Sequence, residues 1–215
     1  TSVVRMFYQT PKLTTVNFNP ALVNTGAVTS MYGMFEESGV ESVDLSMFSF
    51  SKVVSFERMF FQASKLVTSK FPDNMAAASA TTMTDMFRNC SNLKDPGIKV
   101  MGLHPNVAVN FYRMFDSCIS LEEFNVESII AGAGNYSKTY HFDEMFDGCS
   151  KLRYLDTRFI TITRGYNGNK VFYFSYMFRN CTSLQQIVIT EWALPNAQSG
   201  AGGGQVFTDR MFYND

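Results

Sequence analysis

Met145-Phe146-Asp147-Gly148-Cys149-Ser150-Lys151-Leu152-Arg153-Tyr154-Leu155-Asp156 decides the fold, because the chain repeats its pattern from end to end. Met-Phe recurs as Met6-Phe7, Met34-Phe35, Met59-Phe60, Met86-Phe87, Met114-Phe115, Met145-Phe146, Met177-Phe178 and Met211-Phe212, at intervals of 28, 25, 27, 28, 31, 32 and 34 residues. Self-similarity at roughly 20–50 residues marks a solenoid, a propeller or a tandem array. Each unit must then bury its apolar face against its neighbours rather than against itself.

Aligned on Met-Phe, the units fall into columns. A large apolar residue stands three before Met (Met31, Phe56, Met83, Phe111, Phe142, Phe174). A small one stands four after (Thr10, Ser38, Ala63, Cys90, Cys118, Cys149, Cys181). Leu stands seven after (Leu13, Leu66, Leu93, Leu121, Leu152, Leu184), with Val40 in the second unit, which is one residue short. The spacing of Phe142, Met145, Phe146 and Cys149 is i, i+3, i+4, i+7, which predicts one face of a short α-helix with Asp143, Glu144, Asp147 and Gly148 toward water. The expected core therefore includes Met34, Phe35, Met59, Phe60, Met86, Phe87, Met114, Phe115, Met145, Phe146, Met177 and Phe178.

After the Leu the period becomes two: Val16 and Phe18, Val43 and Leu45, Phe124 and Val126, Ile187 and Ile189. This predicts a short strand with one buried face. The third and fourth units fit poorly, with Ser69 after Leu66 and Asp95-Pro96-Gly97 after Leu93. Successive strands must run the same way, so the sheet should be parallel. The expected fold is an α/β repeat solenoid, leucine-rich-repeat-like, in which short helix plus short strand units stack on a parallel sheet. It forms one domain over residues 1–215, of about seven to eight units.

These columns resemble the BspA-like leucine-rich repeats of bacterial and protozoan surface proteins, and more closely the Met-Phe variety found in mycoplasma-type lipoproteins. Val43-Asp44-Leu45-Ser46-Met47-Phe48, followed by Ser51 to Phe60, tracks that unit closely, and Met145 to Asp156 matches its first half. The later return segments depart from it. The resemblance implies an extracellular, often adhesive interaction surface and supplies no catalytic residues.

Composition narrows the alternatives. The chain has 215 residues, 46% of them hydrophobic, and a formal net charge of −1. That is enough to bury a core, and it leaves no basic footprint for nucleic acid. No apolar run reaches a membrane span. The chain opens inside one repeat and closes inside another, as a piece of a longer protein would. All four cysteines share the small-residue column, so Cys90, Cys118, Cys149 and Cys181 read as small buried residues rather than a disulfide framework. No His joins that column, and a metal site is not expected. His104 and His141 have no catalytic partner placed by the sequence, and His141 reads as an element-entry residue. Neither enzyme activity nor a cofactor is expected.

The return segments carry all the growth. From the Leu column to the next residue three before Met they measure 18, 16, 17, 18, 21, 22 and 24 residues. Insertions at one phase crowd one edge of a solenoid. Here they are rich in Tyr, Asn, Gly and Ser: Ala131 to Tyr140, Arg164 to Lys170, and Trp192 to Gln205. Such residues suit recognition. Tyr136, Tyr140, Tyr166, Asn167 and Trp192 are the expected contacts. The leading expectation is a cell-surface or extracellular module binding protein or glycan on another cell or surface. The alternative is a structural component of a surface assembly, appendage or virion, such as a phage tail or fibre, with end-to-end self-association through uncapped apolar ends.

Overall fold

The computed structural model describes residues 2–104, 107–124, 139–156, 171–188 and 205–213. It is a repeat solenoid whose strands are all parallel. The described residues form nine short strands: β1 Thr15–Val16, β2 Ser42–Asp44, β3 Thr68–Lys70, β4 Glu123–Phe124, β5 Thr139–His141, β6 Tyr154–Asp156, β7 Val171–Tyr173, β8 Gln186–Val188 and β9 Gln205–Phe207. They form three parallel sheets, β1-β2-β3, β4-β6-β8 and β5-β7-β9. The register follows the repeat, with Val16 beside Val43, Val43 beside Ser69, and Leu155 beside Ile187.

The expected helices are not there: no described residue is helical. The Met-Phe segment is a run of overlapping turns. Met145 N–H bonds to Phe142 O (3.2 Å), Asp147 N–H to Glu144 O (3.2 Å) and Cys149 N–H to Phe146 O (3.1 Å). The alternate amides point along the stack: Glu144 N–H to Ser175 O (2.9 Å), Phe146 N–H to Met177 O (3.0 Å) and Gly148 N–H to Arg179 O (2.8 Å). A helix would instead send the Phe146 amide back to Phe142. The backbone departs from the helical region twice per unit. φ is positive at the residue before Met (Arg5, Gly33, Arg58, Asp85, Arg113, Glu144, Tyr176, Arg210) and three after it (Gln9, Glu37, Gln62, Asn89, Ser117, Gly148, Asn180). A positive φ at the third position of a turn is the type II signature. Each non-glycine there costs about 1 kcal/mol or more. The rung-to-rung hydrogen bonds, which a two-turn helix could not offer its neighbours, offset that cost.

The same residues still point inward. All eight Met-Phe rings form one column, Phe7, Phe35, Phe60, Phe87, Phe115, Phe146, Phe178 and Phe212. Successive centroids lie 5.0–5.9 Å apart and ring planes within 18° of parallel. Strand-spaced rungs rise about 4.8 Å, so the rings are offset rather than eclipsed, which their quadrupoles favour. Phe111, Phe142 and Phe174 form a second column at 5.1 Å. The cysteines are free and buried. Each thiol donates to the Phe carbonyl one rung back: Cys90 to Phe60 (3.0 Å), Cys118 to Phe87 (3.1 Å), Cys149 to Phe115 (3.1 Å) and Cys181 to Phe146 (3.0 Å). Burial pushes the Cys181 thiol up to about 12 and raises the other three as well, so all four stay protonated donors.

Of the acidic residues expected to face water, Asp147 is buried and Asp143 and Glu144 are half-buried. Glu36 and Asp116, in the corresponding turns, are buried too. They belong to a charge ladder beside the turns: Arg5–Glu36 (3.6 Å), Glu36–Arg58, Arg88–Asp116 (2.8 Å), Asp116–Arg113 (3.9 Å), Arg113–Glu144 (2.8 Å), Glu144–Arg179 (3.5 Å) and Arg179–Asp147. The Phe61 ring bridges its middle, with the Arg58 guanidinium 3.7 Å and the Arg88 guanidinium 5.8 Å from the ring centre. Alternating sign fixes which rung sits on which.

The third unit does form a strand. Ser69 takes the inward position and its hydroxyl donates to Pro96 O at 2.7 Å. In the fourth unit Asp95 makes an isolated bridge to Thr68, and Val100 makes another to Asn74. Val126 and Ile189 lie outside the described residues.

Candidate binding edge

The three long return segments are residues 125–138, 157–170 and 189–204. They leave from β4, β6 and β8, which are hydrogen-bonded neighbours, and enter β5, β7 and β9, which are also neighbours. The growth seen in the sequence therefore starts along one sheet and ends along another, at one phase of three consecutive rungs.

Tyr136, Tyr166, Asn167 and Trp192 lie outside the described residues. Tyr140 is described, and it is interior: 2% exposed, with its ring 5.0 Å from Phe172 and 10° from parallel. Strand alternation explains this. Tyr140 and Phe142 both face in, as do Phe172 and Phe174. Tyr140 thus roots the insertion and is not a surface contact.

A second feature of the same rungs was not anticipated. Four residues before Met, the first five units carry small polar residues whose side chains cap the amide two residues on. Ser2 accepts from Val4 (3.2 Å), Ser30 from Tyr32 (3.3 Å), Ser55 from Glu57 (3.3 Å), Thr82 from Thr84 (3.2 Å) and Asn110 from Tyr112 (2.9 Å). In the three insertion-bearing rungs this column becomes His141, Tyr173 and Phe207, paired in register with the column before them. Their rings stack at 4.8 Å, 4° and 10° from parallel. The capping role passes to Asp143, which accepts the Ser175 amide at 3.0 Å and holds His141 Nδ1 at 3.2 Å. Phe207 is 41% exposed. The change from Ser/Thr/Asn to His/Tyr/Phe at one column was legible in the sequence.

Chemically the described part of this edge offers aromatic ring edges and the His141 imidazole beside the Asp143 carboxylate. Among the described residues no group of His, Cys, Asp and Glu is placed to hold a metal ion, and no helix is long and apolar enough to cross a membrane.

A family profile described as "Mycoplasma protein of unknown function, DUF285" matches twice in tandem, at residues 1–101 and 109–213. The chain belongs to that family. No curated protein and no solved structure matches it.

Proposed function

We propose that this family member is a surface-exposed binding module, and that its insertion edge recognises protein or glycan on another cell or surface. The observation that carries the reading is a coincidence in three rungs. The rungs whose return segments lengthen are the ones whose capping column turns aromatic. A spacer loop gives no reason to change a strand residue beside it, whereas a recognition surface does. The kinship with BspA-like surface repeats belongs to the same reading and rests on the unit spanning Met145 to Asp156.

The test is a chimera. Residues 125–138, 157–170 and 189–204 are replaced by connections copied from the first three units, and both proteins are screened on a glycan array and on intact host-type cells. Binding by the parent and loss of it in a folded chimera is expected. A chimera that binds as the parent does would refute the reading, as would unchanged binding after Tyr136, Tyr166 and Trp192 are all replaced by Ala.

The alternative reading is structural, with copies of the chain stacking in an appendage or virion. Light scattering over a concentration series separates the two, since end pairing makes the mass grow.

A further inference from the structure

Five residues before Met, the chain changes the direction in which it points along the stack. Thr29, Val54 and Thr81 hold this position in the second, third and fourth units and are exposed. Val109, Tyr140 and Phe172 hold it in the next three and are buried. Pairing changes with it. In the earlier rungs the return segment rejoins the stack through isolated bridges, Ser30 to Ser55 and Ser55 to Thr82. In the insertion-bearing rungs it rejoins through whole strands. Thr139, Tyr140 and His141 lie beside Val171, Phe172 and Tyr173, and these lie beside Gln205, Val206 and Phe207. Strand alternation then sends the middle residue of β5 and of β7 into the core.

There the rings pack on one another. Tyr140 lies on Phe172 at 5.0 Å, Phe172 is 6.5 Å from Phe174, and Phe174 lies on Phe142 at 5.1 Å. The backbone ties the same rungs together, with Phe142 N–H donating to Tyr173 O and Phe174 N–H to Phe207 O, both at 2.8 Å. The place matters because β5, β7 and β9 are where residues 125–138, 157–170 and 189–204 rejoin the stack. Bringing together the ends of a longer segment costs more chain entropy.

We infer that Tyr140, Phe142, Phe172 and Phe174 form a clasp on the inner face of β5, β7 and β9. It closes the three long return segments at one place, so that the three strands open and shut together. Phe172 is its centre, in contact with Tyr140 one rung back and with Phe174 on its own rung. The clasp is distinct from the outward stack of His141, Tyr173 and Phe207, so it holds whatever that edge binds.

Native-state hydrogen exchange by NMR tests it on the whole chain with no ligand present. Phe172→Ala should quicken exchange of the Phe142 and Phe174 amides alike, by about a hundredfold. The Phe146 amide, bonded to Met177 O in the turn ladder, should stay within about threefold of the parent. Phe172→Leu, which keeps more of the volume should the Ala variant fold too little, should give the same pattern at about tenfold. Tyr173→Ser, on the outward face, should quicken the two amides by no more than about tenfold. Quickening at Phe174 alone would mean that the rungs close independently and would overturn the clasp, as would equal quickening at Phe146. A Tyr173→Ser effect as large as that of Phe172→Ala would overturn its placement on the inner face.

Discussion

Phe115→Ala measures what the ring column contributes. Phe115 is fully buried. It stacks on Phe87 at 5.3 Å and Phe146 at 5.5 Å, and meets Phe124 at 4.8 Å and 59°. Truncating a buried Phe costs roughly 3–5 kcal/mol. Ring pairs add about 0.5–1.5 kcal/mol each beyond buried area. With three ring partners the loss should lie near the top of the range, about 5 kcal/mol. Phe212 occupies the same column but is 55% exposed, with one stacking partner, Phe178 at 5.4 Å. Phe212→Ala should therefore lose only about 1 kcal/mol. Urea unfolding followed by circular dichroism reads both through midpoint and slope. If Phe115→Ala leaves too little folded protein, Phe115→Leu keeps much of the volume and should lose about 1.5 kcal/mol. A Phe115→Ala loss equal to that of Phe212→Ala would refute the column as a main source of stability.

Gly97→Ala should destabilise by about 3 kcal/mol, because a Cβ there would sit 1.7 Å from the Ser69 carbonyl oxygen at a φ of +63°; thermal melting reads it, and an unchanged midpoint would contradict the packing. The four thiols should resist an aromatic disulfide reagent in the native state and react together as urea unfolds the chain, since burial both hides and protonates them; rapid native labelling would contradict the column. Burial raises the carboxyl pKa of Asp85 and Asp116 above 3.8, so the folded state holds protons the unfolded state has released, and these groups lower stability as pH rises from 3.8 through their folded values. Asp116→Asn should flatten that limb of the stability profile, and an unaltered slope would argue against the burial.

Much of the core could be read from the columns, because which side chains face in is fixed by repetition whatever the backbone does between them. The backbone itself was misread for a physical reason. A spacing of i, i+3, i+4, i+7 is common to a helix face and to consecutive turns with corners three residues apart. The discriminating signal lay at the corners: Gly33, Gly148, Asn89 and Asn180 occupy the positive-φ positions, and those residue types tolerate left-handed backbone. The insertion edge was legible as length, but Tyr140 was assigned to it by composition when its alternation with Phe142 already placed it inside. The charge ladder escaped notice because its pairs, such as Arg113 with Glu144 and Arg179 with Asp147, are a full repeat apart.

The most direct test of stacked turns is the through-hydrogen-bond scalar coupling from the Phe115 amide nitrogen in a deuterated NMR sample. The stacked-turn fold predicts a correlation to the carbonyl carbon of Met145, one rung onward, matching the 2.8 Å bond. A correlation to the carbonyl of Phe111, four residues back, would restore the helix and contradict the turn ladder.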